Sequence, residues 1–318
     1  MRAVFLDYAT VSSGDLDPGA LQRALPQLEL HDVTREAEIP ARIAGAAIVL
    51  TNKLRITREH MAAAGDLELI VLAATGTNNV DLDAARELGI GVCNIQDYCT
   101  PSVVQHVLGV MLLLTHHLRE YSQLATGGAW GASPQFTLLD YPIRELAGRA
   151  LGIVGYGTLG CAVARAAESA LGMRILIANR PGGEREPGRL DLHDLLREVD
   201  VLSLHCPLTP ATQGMIGARE LALMKPDAIL INTARGALVD VAALADALRA
   251  RRIGGAAIDV LPQEPPKDGS PLFAPDLPNL IVTPHTAWAA RESRQRALDE
   301  MTRNVEDFLR GGRRGRVV

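Results

Sequence analysis

Short β-branched apolar runs at residues 4–6, 46–51, 69–73 and 90–93 alternate with stretches of helical spacing at 58–64 and 82–88. Continuous apolar runs separated by helical segments predict a parallel sheet with helices on its faces. Beyond Thr100 and Pro101, the apolar segment 102–121 predicts one long helix leading away from this first unit. A second alternating series begins at Ala150, with strands expected near 151–154, 174–178, 201–204, 228–232, 256–260 and 280–282. Six strands in one series suit a doubly wound sheet. The last stretch, 291–309, places Ala297, Leu298, Met301, Val305, Phe308 and Leu309 on one helical face. That helix is expected to return to the first unit, so that 1–99 and 289–318 form one discontinuous domain and 100–288 the other. Hinges near 97–101 and 285–290 would then border a cleft.

A length of 318 residues gives each of two domains room for its own core. The net charge of −5 and the interspersed Lys and Arg leave no basic field, which argues against nucleic acid as a partner. The one basic run, "RGGRRGRVV", reads as a solvated, frayed tail. "MRAVFLDYAT" suits a first strand and lacks the apolar region of a signal peptide. The longest apolar run, 107–114, falls far short of the ~20 residues that span a bilayer. A soluble, cytoplasmic protein with no membrane partner is expected. Cys93, Cys99, Cys161 and Cys206 show neither C-x-x-C spacing nor a disulfide framework, so they read as reduced, mostly buried thiols and suggest no metal site.

"LGIVGYGTLG" joins an apolar strand to Gly155, Gly157 and Gly160, followed by the helix-like "CAVARAAESAL". Glycines at this spacing allow a tight turn and close backbone approach to a pyrophosphate, and the helix N-terminus offers free N–H groups to the anion. The next strand, in "RILIANRPGG", ends 19 residues beyond Gly160, at Asn179. This context points to dinucleotide binding. An acid usually ends that strand and accepts the ribose hydroxyls. About 4 Å from a 2′-phosphate, such an acid would repel it by about 1 kcal/mol in water and about 4 at an effective dielectric of 20. Asn179 removes that barrier while keeping a neutral hydrogen bond. Arg180 adds a bidentate phosphate partner, unless it faces solvent beside Glu184 and Glu186. NADP(H) preferred, with NAD(H) tolerated, is the expectation.

Three further strand ends carry chemistry: "INTARGALVD" with Arg235, "IDVLPQEPP" with Asp259 and Glu264, and "IVTPHTAW" with His285. Open α/β sheets bind ligands at such ends. Arg, carboxylate and His there can bind an anionic substrate, orient an imidazole and transfer a proton.

Together with "HCPLTPAT", "LMKPDAILINTARGALVD", "ATGTNNVDL" and "TPSVVQH", these segments resemble the D-isomer-specific 2-hydroxyacid dehydrogenase family over nearly the whole chain. "TNK", "ATGTNNVD" and "PHTAW" resemble its glycerate dehydrogenase and hydroxypyruvate or glyoxylate reductase branch most closely. The resemblance implies an α/β fold of two Rossmann-like domains, with a doubly wound parallel-sheet nucleotide-binding domain inserted into a flavodoxin-like substrate domain. It implies that Arg235 clamps the substrate, that His285 donates the proton to the ketone oxygen, and that Glu264 holds the imidazole in its tautomer and favours its protonated form. Backbone N–H groups of Thr75 and Gly76 would complete the carboxylate site. Gly155, Tyr156, Gly157, Thr158, Leu159 and Gly160 would form the phosphate loop. His205, Cys206 and Pro207 would shape a cofactor loop, Thr233 and Ala234 would line the nicotinamide pocket, and Asp259 would contact the nicotinamide amide.

The implied activity is reduction of a small 2-keto acid, glyoxylate or hydroxypyruvate, to the D-2-hydroxy acid. Oxidation of formate or phosphite on the same scaffold, and a non-catalytic dinucleotide sensor, are the competing readings. A homodimer built through the 102–121 helix is implied as well. Gln105 stands where many members carry Glu, and Asn52, Lys53, Tyr98, Trp130 and Trp288 are left between substrate, rim and surface roles.

Overall fold

The structure is a computed structural model describing residues 1–318, and it divides into two compact units. Met1–Cys99 and Trp288–Val318 form one, and Thr100–Ala287 the other. Trp288 falls with the first unit, one residue from the expected boundary, because its ring meets Tyr98 edge-on at 6.1 Å.

The first unit holds five parallel strands, β1 (Arg2–Phe5), β2 (Gln27–Leu30), β3 (Ile48–Thr51), β4 (Leu69–Leu72) and β5 (Gly91–Cys93), in the order β2-β1-β3-β4-β5. Successive side chains go to opposite faces. Phe5, Leu50, Leu69 and Val71 meet Ala297, Leu298, Met301 and Val305 of the Arg291–Leu309 helix. Val4, Val49, Ile70 and Leu72 pack on the other face against Ile39, Ile43, Met61, Ala84 and Ala85. β3 and β4 are buried throughout, and apolar but for Thr51, because both faces are covered.

In the second unit β6 (Ala150–Val154), β7 (Arg174–Ile177), β8 (Val201–Leu204), β9 (Ile229–Asn232), β10 (Gly255–Ile258) and β11 (Leu280–Val282) form a parallel sheet in the order β11-β10-β9-β8-β6-β7. Strand order reverses beside β6, so the C-terminal ends of β6 and β8 border a ligand crevice. After β7 the crossover to β8 carries only the short helix Leu192–Glu198. The chain returns through a loop to one isolated parallel bridge, Ala178 with Leu190.

The expected 102–121 helix is two helices. Thr100–Thr115 buries Val103, Val107, Val110 and Met111, and Leu118–Thr126 starts anew after His117 turns left-handed at φ 50°. The apolar stripe stops near Thr115, whose carbonyl accepts from the Arg144 N–H at 3.2 Å instead of continuing the helix. No helix is long and apolar enough to cross a membrane.

Candidate active site

The glycine turn after β6 is dictated by space. A Cβ on Gly155, at φ 93°, would stand 2.5 Å from the Cys206 nitrogen, and one on Gly160 would stand 2.0 Å from the Gly155 carbonyl oxygen. Gly157 has nothing within 4 Å of its Cβ position, which leaves open room where a pyrophosphate would lie. It precedes the Thr158–Leu171 helix, which no side chain caps, so first-turn N–H groups are available to an anion. The residues present therefore fit a dinucleotide phosphate.

The loop after β8 packs on that turn. The His205 N–H donates to the Val154 carbonyl at 2.7 Å, and its Nε2 lies 2.8 Å from Ser203 Oγ. Desolvation pushes the His205 imidazole down to about 4, so it is neutral near pH 7. Burial pushes the Cys206 thiol up to about 11, an unreactive state. Thr212 Oγ1 donates to the Pro207 carbonyl at 2.8 Å and closes the loop.

At the end of β9, buried Asn232 organises the next turn. Its Nδ2 donates to the Arg235 carbonyl at 2.9 Å and its Oδ1 accepts from the Ala234 N–H at 3.0 Å. Arg235 Nη1 donates to the Ala234 carbonyl at 2.7 Å. The buried Thr233 hydroxyl has no partner, which suits a pocket for a polar ligand group. Gly236 is required by close approach: a Cβ there would stand 2.0 Å from the Leu261 carbonyl carbon. This contact seats the Arg235 turn directly on the loop that carries Glu264.

His285 Nδ1 lies 2.7 Å from Glu264 Oε2, and Glu264 Oε1 accepts from the Leu261 N–H at 2.8 Å. A carboxylate at Nδ1 assigns that nitrogen its proton and leaves Nε2 to exchange one with a substrate. His285 itself is left-handed, at φ 56°, and its N–H donates to the Asp259 carbonyl at 2.8 Å.

Asp259, the residue expected against the nicotinamide amide, is held by the protein itself. The side chain is 2 % exposed and accepts from Thr283 Oγ1 at 2.5 Å and from the N–H groups of Thr286 and Ala287 at 2.8 and 3.0 Å. It ties down the segment on both sides of His285. His106 Nε2, 3.4 Å from Thr283 Oγ1, extends the network.

Asn179 is turned inward too: its Nδ2 donates to Asp191 Oδ1 at 2.9 Å and its Oδ1 accepts from the Glu186 N–H at 3.0 Å. Arg180 is exposed on a cavity of about 300 Å³ that Asn179 and Asp191 also line.

In the first unit Thr75 and Gly76 follow β4. Thr75 Oγ1 donates to the Ile95 carbonyl at 2.8 Å and Asn94 Nδ2 to the Thr75 carbonyl at 2.7 Å, whereas the N–H groups of Thr75 and Gly76 take no part in these bonds. Buried Asp7 accepts from the N–H groups of Asn52 and Lys53 at 2.9 and 2.7 Å, and Lys53 Nζ stands 6.0 Å over the Trp288 ring. Trp130, in the second unit, donates to the Phe136 carbonyl at 2.9 Å, and Gln105 is exposed.

Residues 108–287 match the family model described as D-isomer specific 2-hydroxyacid dehydrogenase, NAD binding domain. The glycerate dehydrogenase of Methylorubrum extorquens is 48% identical over 274 residues, 86% of each chain. The chain belongs to the D-isomer specific 2-hydroxyacid dehydrogenase family. The hydroxypyruvate reductase of Blautia hydrogenotrophica is 38% identical over 98% of both chains. The crystal structure of the TT0316 protein from Thermus thermophilus superposes with a TM-score of 0.88 at 36% identity, covering all of both chains. This dehydrogenase is thus an oxidoreductase with a nicotinamide-dinucleotide-binding domain, built on two parallel α/β sheets. Sequence reasoning missed Thr283, Ser203, Arg185 and Asp191 in the dehydrogenase. Thr283 sits two residues before His285 in "TPH", a short-range signal; the others are recognisable only from their partners in space.

Proposed function

We propose that this dehydrogenase reduces glyoxylate or hydroxypyruvate to the corresponding D-2-hydroxy acid, with NADP(H) preferred and NAD(H) tolerated. The observation that carries this reading is the 2.7 Å pair of His285 Nδ1 and Glu264 beside the Arg235 turn. Arg235 binds the substrate carboxylate and carbonyl through its planar fork. A dinucleotide held by the 155–160 turn would supply the hydride. His285 gives the Nε2 proton to the carbonyl oxygen, and Glu264 holds the charged ring before the transfer. The C=O bond becomes H–C–O–H, and the neutral imidazole recovers its proton from water. The unengaged N–H groups of Thr75 and Gly76 are suited to a carboxylate.

Similarity to proteins named glycerate dehydrogenase and hydroxypyruvate reductase supports the substrate class. Formate or phosphite oxidation has no ketone oxygen to protonate and no use for the His285–Glu264 pair. NADP(H) preference draws support from two guanidinium groups, Arg180 and Arg185, and a single carboxylate, Asp191, around the cavity beside β7. We further propose a homodimer and cytoplasmic residence, in keeping with four free cysteines. The Thr100–Thr115 helix buries Val103, Val107, Val110 and Met111 in its own unit and leaves Val104, Leu108, Leu112 and Leu113 half-buried. The dimer contact is assigned to those half-buried side chains together with the segment after the helix, where Phe136 is 92% and Leu139 79% exposed.

Steady-state assays with NADPH and NADH against glyoxylate, hydroxypyruvate, pyruvate and bulkier keto acids test this reading. Turnover of the first two, with kcat/KM at least tenfold above the bulkier acids, is expected. Tight cofactor binding without turnover would make the chain a sensor, and faster oxidation of formate or phosphite would replace the substrate class.

A further inference from the structure

The cavity beside β7 has an unusual electrostatic construction, and the inference drawn from it rests on reading that cavity as the adenosine-ribose end of the cofactor site. Its polar wall consists of Asn179, Arg180, Arg185 and Asp191, two cations and one anion. Asn179, at the strand end where a ribose-binding acid is expected, is a strut of the loop: its backbone N–H donates to the Leu190 carbonyl at 2.8 Å, and both ends of its carboxamide bind Asp191 and the Glu186 N–H.

Asp191 is the second anomaly. It holds the N-cap position of the Leu192–Glu198 helix, where an Asp ordinarily accepts an N–H of the first turn, yet its side chain makes no capping bond. The carboxylate is turned to Asn179 on one oxygen and to the Arg185 guanidinium on the other. Arg185 is ion-paired there with its side chain 81% exposed, against 38% for Asp191. An ion pair this exposed is held weakly and exchanges readily for a better partner. A phosphate offers one, with higher charge and three oxygens that accept the planar fork bidentately.

We propose that Arg185 and Asp191 set the choice between 2′-phosphorylated and plain dinucleotides. Arg185 is the phosphate-selecting residue and Asp191 its resident counter-ion, which a 2′-phosphate replaces. Asp191 also supplies the one negative charge that opposes the phosphate, taking over from one loop away the part that an acid at position 179 would play. The two residues therefore act with opposite sign, a signature that loop stability alone does not produce.

Isothermal titration of the full chain with 2′,5′-ADP and 5′-ADP, which differ only in the 2′-phosphate, reads this directly without turnover. Arg185→Ala is expected to weaken 2′,5′-ADP about tenfold and to leave 5′-ADP within about twofold. Asp191→Asn keeps an acceptor for Asn179 and is expected to tighten 2′,5′-ADP about fivefold with 5′-ADP again unmoved. Variants that shift both nucleotides equally, or neither, overturn the proposal. Arg180→Ala, titrated in parallel, separates it from the broader NADP(H) reading. A ratio moved by Arg180 alone sinks the Arg185–Asp191 assignment and leaves that preference standing. A wild type that binds both nucleotides equally, with the two variants moving the ratio in opposite directions, sinks the preference and upholds the assignment.

Discussion

His285 occupies a left-handed backbone conformation that costs a non-glycine residue about 1 kcal/mol or more, and its neighbours hold it there. Asp259 takes the N–H of His285 on its backbone oxygen and those of Thr286 and Ala287 on its carboxylate. Thr283 completes that carboxylate with its hydroxyl. Thr283→Val is therefore expected to lose about 1–3 kcal/mol of stability. It should also lower kcat about tenfold while the cofactor Kd stays within about twofold, as read by steady-state kinetics and fluorescence titration; an unchanged kcat would remove Thr283 from the positioning network. His205 makes a pH prediction. Its folded-state value of about 4 lies below the ordinary imidazole value of 6.5, so between these pH values the unfolded chain binds the extra proton and stability falls as pH falls. Above pH 6.5 this contribution is fully present. Urea melts at pH 7 and 5 should show a loss of up to about 1.4 kcal/mol per pH unit from this residue, a loss that His205→Asn abolishes. Residue types and motif spacing singled out Arg235, Glu264 and His285 as candidates. Spacing could not show that Asn179 and Asp259 face inward, because hydrogen-bond direction depends on partners far along the chain.

Among the elements, the strands of the second unit were legible because parallel strands buried on both faces are almost wholly apolar. β2 escaped notice: "QLEL" is a four-residue edge strand with polar residues at alternate positions, and Arg2 pairs with Glu29 along it. The long helix was overextended because apolar content continues past Thr115 while the backbone does not. Two glycines separate the uses of a strand-end turn. Gly236→Ala forces a Cβ against the Leu261 backbone, which no rotamer change relieves. It is expected to destabilise by about 1–3 kcal/mol and to cut kcat/KM at least tenfold by moving Arg235 off the Glu264 loop. Gly157→Ala meets no atom of the protein, so its Tm should stay unchanged while dinucleotide affinity falls tenfold or more. Thermal melts and cofactor titration distinguish the two, and a lowered Tm in Gly157→Ala would contradict the open space assigned to a phosphate.

For the molecule as a whole, the exposed Phe136 and Leu139 are expected to close a contact between copies. Sedimentation velocity should then give twice the 34.0 kDa chain mass, and Phe136→Glu should reduce it to 34.0 kDa with the fold intact. A monomeric wild type would end that assignment. Apolar periodicity and the glycine spacing after β6 were sufficient for the fold class, the resemblance of whole motif segments for the family, and the order of Arg, Glu and His along the chain for a set of candidate residues, since each is a local or ordered pattern. Packing in three dimensions settled the rest. It decided which glycine is needed for space, which carboxylate orients His285 and which one holds its loop. It also put Arg185 and Asp191 on the cavity beside β7, because these outcomes depend on distances between segments that no spacing along the chain encodes.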